Sequence, residues 1–399
     1  MNIYHYFQNI KETIQKPVSF DFTFLTIVLM LLMIGLIALS SASSSISESI
    51  SGSPFFYLNR QIFAVVLGFF SGLFCFYVPI DYWKNIGPLL LILGITLLIL
   101  VLIPGIGNEV NGSTRWIKFG GILNVQVSDP ARLCIMIYVA GYLVRRNKQL
   151  REGFVGFLRP MLVLGFAALL LLMETDFGAT AVLLATVLSM LLVAGARIRD
   201  FFSFLLAISL SLATLMQFFP YAMRRFTGFL DPWDKDVVFG SGYQLTQSLI
   251  AIGRGEWFGV GMGNSIQKLF YLPEAHTDFI FAVFSEEFGL LGSGVLITLF
   301  VLLVWRIFRL AIRSAKADRF FEAYFCIGAG TWLALQVIIN LGVSMGILPT
   351  KGLTLPLISY GRSSLILTMI TISILMRIYH EVHSNYNYKS QIKTKKRNP

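Results

Sequence analysis

The sequence predicts an all-α integral membrane protein of about ten transmembrane helices, and three observations carry that prediction. Across 399 residues 56% are apolar and only 13% charged, too few charges to cover a water-soluble surface. The apolar residues fall into charge-free runs of roughly 20, the length that crosses a bilayer. The polar residues between the runs gather toward one face instead of forming a domain of their own. A soluble enzyme, a DNA-binding domain and a disulfide scaffold are thereby excluded. Cys75, Cys134 and Cys326 all sit inside apolar runs, where free cysteine behaves as a small hydrophobe.

Taken in order, the clear spans are Phe22 to Ser40, Ile62 to Ile80, Ile86 to Gly107, Phe177 to Ala196, Phe201 to Met223, Phe279 to Trp305 and Ala323 to Thr350. Three weaker ones complete the set: Val125 to Val144, carrying Asp129 and Arg132; Phe157 to Met173; and Leu353 to Ile378, carrying Arg362. The run from Phe279 places Glu286 and Glu287 at membrane depth, where at least one must find a partner or line a cavity. The chain therefore divides into a segment 1–21, a polytopic domain 22–379 with a long loop over about 224–277 between spans seven and eight, and a basic tail 380–399 expected to be disordered. The first run reads as a span rather than a signal peptide, being long, without a cleavage site and behind a polar head.

The net charge of +11 is explained by placement. Lys and Arg concentrate in Arg145 to Arg159, Arg306 to Arg319 and Lys389 to Arg397, which a single orientation puts on the cytoplasmic side together with both termini. This positive-inside pattern suits anionic headgroups and leaves no reason to invoke nucleic acid. The outer face receives Ser41 to Phe56, Pro104 to Asn124, Arg224 to Thr277 and Gly346 to Pro356. A transporter would string its polar groups along a path through the midplane. Their collection at one face points to chemistry at the outer leaflet, with a transporter as the competing class.

Five features stand out. Asn111-Gly112-Ser113-Thr114-Arg115-Trp116-Ile117 with Lys118 reads either as a wet hairpin with an aromatic anchor or as a turn whose Arg115 and Lys118 meet an anion. The glycine-rich stretch through Gly253-Arg254-Gly255 and Gly259-Val260-Gly261-Met262-Gly263 implies backbone pressed close to a ligand or folded tightly on the membrane surface. Its spacing does not match a dinucleotide fingerprint. Asp278 begins an apolar run at the outer side, where it is either an N-cap shared with Thr277 or a partly desolvated carboxylate able to accept a proton. Asp129 and Arg132, three apart on one helix face, neutralise each other or cap its outer end. Lys351, in a loop between Pro349 and Pro356, either snorkels or binds a ligand.

The run Leu272 to Phe281, the Asn111 to Ile117 motif, Glu174-Thr175-Asp176-Phe177-Gly178, Gly240 to Gln247, and Pro349 to Leu353 through Ser359-Tyr360-Gly361 together resemble the SEDS family of bacterial peptidoglycan glycosyltransferases, over about Phe22 to Tyr379. Phe229 to Trp233, Gly242 to Ser248, Arg254 to Trp257 and Pro273-Glu274-Ala275-His276 are similar to its division-type branch more than its elongation-type branch. Departures are Val127 for the usual Pro, Asp129 and Arg132 for the usual Glu and Lys, Thr175 for Pro, and Arg362 for Gly.

The resemblance implies a SEDS-type fold and polymerisation of lipid II at the outer leaflet of the cytoplasmic (inner) membrane at the division septum. Asp278 matches the family's essential aspartate. Arg115, Lys118, Arg225 and Lys351, with His276 beside the aspartate, become candidates for the leaving diphosphate, while Asp129, Arg132, Glu286 and Glu287 become supporting polar residues within the membrane. The partners implied are a class B penicillin-binding transpeptidase and other division proteins of the membrane. The small residues Gly328, Ala329 and Gly330 on the ninth span offer a face for close helix contact. A divalent cation, Mg or Mn, could assist, although no residue cluster has metal-ligand spacing. A lipid II flippase and a non-catalytic scaffold for the transpeptidase remain the alternatives.

Overall fold

The computed structural model describes residues 19–110, 113–119, 123–206, 210, 229, 231–234, 238–240 and 242–397. The chain forms a helical bundle with a small three-stranded sheet at one end. The first helices are α1 (Phe22–Ser51), α2 (Phe56–Tyr77) and α3 (Ile80–Val101). An antiparallel sheet follows, with strands β1 (Gly107–Val110), β2 (Ser113–Phe119) and β3 (Leu123–Gln126) in that spatial order. Then come α4 (Ser128–Arg145), the short α5 (Asn147–Glu152), α6 (Phe154–Met173) and α7 (Phe177–Val193). The later elements are α8 (Tyr243–Arg254), a π-turn over Gln267–Tyr271, α9 (Ile280–Lys316), α10 (Phe320–Ser344) and α11 (Arg362–Arg397).

Among the described residues, seven stretches (α1, α2, α3, α6, α9, α10 and residues 362–383 of α11) are long and apolar enough to cross a membrane, and α7 is a shorter apolar helix. The multi-pass membrane architecture stands, with α4 as a further helix of the bundle. Residues 198–206 and 210 are helical, and the other residues of the expected seventh span lie outside the described residues, as does Arg225.

Several boundaries differ from the hydropathy reading for identifiable reasons. The helix α1 was expected to end at Ser40 and instead continues to Ser51, because its serines find partners inside the protein: Ser41 Oγ donates to Glu287 Oε1 at 2.6 Å, and Ser51 Oγ to the Ser47 carbonyl at 2.9 Å. It closes on Gly52, whose φ of 71° supplies a left-handed C-cap. The tenth span was expected from Leu353, but α11 starts only at Arg362. Pro356 keeps Leu355 out of the helical region, so 353–361 is an irregular, buried segment. It is held by Gln61 Nε2 donating to the Ser359 carbonyl at 3.0 Å and by Leu355 N–H donating to Ser359 Oγ at 2.8 Å. The backbone of α11 stays helical to Arg397, past the point where disorder was expected.

Packing places α4 at the centre, against α3, α7 and α10. Its Asp129 and Arg132 are both buried and ion-paired to each other, as the i,i+3 spacing predicted. The proposed partner face on the ninth span is not a surface. A Cβ on Gly328 would lie 2.7 Å from Met190 Sδ and 2.8 Å from Met136 Cγ, and one on Gly330 2.9 Å from Phe308. These glycines admit side chains of α4, α7 and α9, so small-residue packing here is internal to the bundle. At the end of the bundle away from the sheet, Arg319 pairs with Glu381 at 2.6 Å, Arg377 with the same carboxylate at 2.7 Å, and Asp21 with Arg306.

Candidate functional site

The sheet, the turn between α6 and α7, the segment before α9 and the segment 349–364 surround one cavity of about 960 Å³. Asp278 lines it. The helix α9 begins at Ile280 with Phe279 as N-cap and no side-chain cap bond, so Asp278 is not the helix cap that position alone allowed. Thr277 instead turns its hydroxyl to Glu274, 2.6 Å from Oε2. Opposite, Gly352 leaves room for the aspartate: a Cβ there would lie 2.7 Å from Asp278 Oδ2. A methyl group there would push the carboxylate from this position.

Cationic side chains surround the same space. Arg115 lines the cavity from β2, donates from Nη2 to the Thr175 carbonyl at 2.8 Å and lies 3.7 Å from Asp176 Oδ1, which fixes the sheet onto the α6–α7 turn. Ser113 and Thr175 hydroxyls share a hydrogen bond at 2.6 Å in that contact. Lys351 lines the cavity with its ammonium 4.6 Å from the Phe177 ring centroid, so it does not snorkel away. Arg60 and Arg362 also line it. Arg362, harder to place from the sequence, opens α11 and adds a positive charge where the helix terminus already carries a partial one. Arg60 was missed because hydropathy started the second span at Ile62, while the helix begins at Phe56 and presents Tyr57 and Arg60 one turn apart.

Farther in, the Asp129–Arg132 pair lines the cavity, with Arg132 4.5 Å over the Trp332 ring. Among the described residues Asp129 Oδ2 and Arg132 Nε and Nη1 have no hydrogen-bond partner in the protein, and neither does Gln336 Oε1. These are buried polar atoms that a polar ligand or water must satisfy.

Other expected site residues stand apart. Lys118 is exposed and does not line the cavity. His276 does line it, but is packed against Tyr57, with ring centroids 4.6 Å apart, and Tyr360 at 5.8 Å. Burial lowers its pKa, against the opposing pull of Glu274, so it would meet an anion as a neutral group rather than as a cation. Glu286 and Glu287 lie outside the cavity and are satisfied by the protein. Glu286 accepts from Arg254 Nη1 at 3.1 Å, Ser265 Oγ at 2.5 Å and the Ile266 N–H at 3.1 Å. Glu287 accepts from Lys268 Nζ at 2.9 Å and from Ser41.

The glycine-rich stretch serves this second cluster, not a ligand. A Cβ on Gly259 would lie 2.1 Å from the Glu287 carbonyl oxygen. Val260 and Gly261 N–H groups donate to the Glu286 and Glu287 carbonyls at 3.0 and 3.1 Å, where α9 breaks at Gly289 with φ 65°.

Glu174 received no role from the sequence. It is fully buried, with both carboxylate oxygens unpartnered among the described residues. Burial pushes its carboxyl up to about 8, with Asp176 adding to the rise and Arg115 opposing it. The adjacent Thr175 has φ 60°, which proline cannot adopt, so the departure from the family pattern at this position comes with a different turn. Among the described residues no three His, Cys, Asp or Glu side chains come together. The donor set does not fit a divalent ion held by the protein alone.

The family model for FtsW, RodA and SpoVE, described as cell cycle protein, matches residues 22–384. A relative from Thioalkalivibrio sulfidiphilus, named probable peptidoglycan glycosyltransferase FtsW, is 50% identical over 354 residues, covering 89% of this chain and 88% of that protein. A chain of a solved peptidoglycan synthase complex that coordinates polymerization and crosslinking superposes with a TM-score of 0.76 at 27% identity, over 91% of this chain and 98% of that one. The rod shape determining protein RodA of Thermus thermophilus gives 0.67 at 25% identity, over 91% and 97%.

Proposed function

This chain belongs to the FtsW/RodA/SpoVE family, and from that premise we propose that it is a division-type peptidoglycan glycosyltransferase, polymerising lipid II with Asp278 as the base. The observation that carries the reading is the placement of Asp278 over Gly352 in a cavity also lined by Arg60, Arg115, Lys351 and Arg362.

The carboxylate of Asp278 takes the proton from the acceptor sugar's 4-hydroxyl as that oxygen attacks the anomeric carbon of the donor. The bond from that carbon to the diphosphate breaks, its electron pair leaves with the lipid diphosphate, and the anomeric centre inverts. The cations meet the charge that develops on the leaving group. No general acid is required, since a diphosphate leaves without protonation, so one carboxylate acting as base suffices.

In this reading the cavity end of the bundle faces outward, and the end bearing Arg145–Arg159, Arg306–Arg319 and the basic tail faces the cytoplasm with both termini. The protein works at the septum beside a class B transpeptidase, which cross-links the glycan strands made here. The similarity to a synthase complex in which polymerization and crosslinking are coordinated supports that partnership.

Purified protein given lipid II in detergent, with no second compartment, tests the activity. Glycan polymer is the expected product. A flippase would make none, and absence of polymer even with the cognate transpeptidase present would contradict the reading.

A further inference from the structure

Asn340 sits on α10 and is almost completely buried, yet its side chain reaches two segments that carry the chemistry. One hydrogen of its amide goes to the Asp278 carbonyl at 2.8 Å and the other to the Leu353 carbonyl at 2.7 Å. One turn earlier, Gln336 donates to the Thr354 carbonyl at 2.9 Å. An amide NH₂ has two hydrogens in one plane, so a single rigid group fixes the distance between the backbone of Asp278 and the segment holding Lys351 and Gly352. Between those anchors the aspartate carboxylate lies beside Gly352, where a methyl group would come within 2.7 Å of Oδ2 and force the carboxylate to shift.

We propose that Asn340 is a positioning residue for the reaction: its amide clamps the base-bearing residue to the Lys351 segment, so that proton acceptance and leaving-group stabilisation occur at a fixed separation. The inference rests on the reading of Asp278 as the base. Hydroxyl and aliphatic replacements differ in a graded way, since Ser keeps one donor and Ala none, and each lost donor leaves a buried carbonyl unpaired. The separated segments would then relax, and a displacement of about 1 Å in a reacting geometry costs on the order of 10²-fold in rate.

The test compares Asn340→Ser, Asn340→Ala and Gly352→Ala with wild type for lipid II polymerisation in detergent, with kcat and KM determined per monodisperse protein. Gly352→Ala leaves α10 untouched and drives a methyl toward the carboxylate, which keeps the test usable if Asn340→Ala folds poorly. Expected are a kcat reduced by on the order of 10²-fold in Asn340→Ala and Gly352→Ala, an intermediate value in Asn340→Ser, and KM changed far less than kcat. A kcat unchanged per folded molecule in Asn340→Ala, or in Gly352→Ala where Asn340→Ala does not fold, overturns the clamp, as does a loss confined to KM. Asp278→Asn run alongside separates the two claims. If it retains activity the base assignment fails, whereas an inactive Asp278→Asn with fully active Asn340 and Gly352 variants refutes only the clamp.

Discussion

Two clusters of acidic and basic side chains lie on either side of α9's first turns, and they differ in how completely the protein satisfies them. At Glu286 and Glu287, Arg254, Lys268, Ser41, Ser265 and backbone N–H groups occupy the carboxylates, which lie outside the cavity around Asp278. At Asp278, Arg115, Lys351 and the Asp129–Arg132 pair, comparable residue types line a cavity, and several buried atoms of Asp129, Arg132 and Gln336 have no partner among the described residues. Charge inside a membrane protein thus serves two purposes, and the open bonding capacity distinguishes them. The closed cluster pins the glycine-rich stretch to the break in α9, and the open one is arranged to receive something.

Substitutions away from Asp278 can break this distinction. The largest effect belongs to the closed cluster: Lys268→Met leaves Glu287 buried without its cation, costing on the order of 3–5 kcal/mol. Monodisperse yield and thermal midpoint should fall sharply, while the protein that does fold polymerises at the wild-type rate. A loss of turnover without a loss of stability would show that the two clusters are not separate in function.

Next in size are Arg115→Ala and Lys351→Ala, each expected to lower kcat/KM for lipid II by roughly 10–100-fold. Lys351→Ala should do so with little change in folded yield. Arg115→Ala should also loosen the sheet, because Arg115 ties β2 to Thr175 and Asp176. Lys118→Ala, outside the cavity, should leave kcat/KM unchanged, and a loss there would redraw the site.

Glu174 sharpens the comparison through pH. Its folded-state pKa of about 8 is raised from 4.5, so the folded protein holds a proton that the unfolded chain releases between those values. The stability it contributes is full below pH 4.5 and declines as pH rises toward 8. Glu174→Gln should therefore raise the thermal midpoint at pH 8 by a few degrees and change it little at pH 4.5. An equal shift at both pH values would contradict a buried, proton-bearing carboxyl. The smallest effect is expected for Arg362→Gly, within about 3-fold in kcat/KM, since Arg60, Arg115, Arg132 and Lys351 remain around the cavity.

The spans were legible in the sequence because bilayer thickness and backbone hydrogen bonding leave a helix few alternatives. The approach of residues distant in the chain was not. Hydropathy could not show that Ser41 to Ser51 would stay helical, since that depends on Glu287 some 246 residues away from Ser41. Nor could it show that 353–361 would fold back as an irregular segment under Gln61. Asp278 and Lys351 were identified through motifs that carry their chemistry. Tyr57, Arg60 and Gln336 look from the sequence like ordinary residues of helices, and only the packing of α2 and α10 against the cavity brings them to the site. The glycine-rich stretch left a ligand and tight folding as alternatives for the same reason, because glycine reports a close approach without naming what approaches.

The central claim is that the carboxylate of Asp278 performs the chemistry and does not hold the fold. The most direct measurement is polymerisation and binding of fluorescent lipid II by one purified preparation of Asp278→Asn, in which an amide of nearly the same shape cannot take the proton. The account predicts normal yield and substrate retention with no glycan polymer. Polymer formed at the wild-type rate would contradict it.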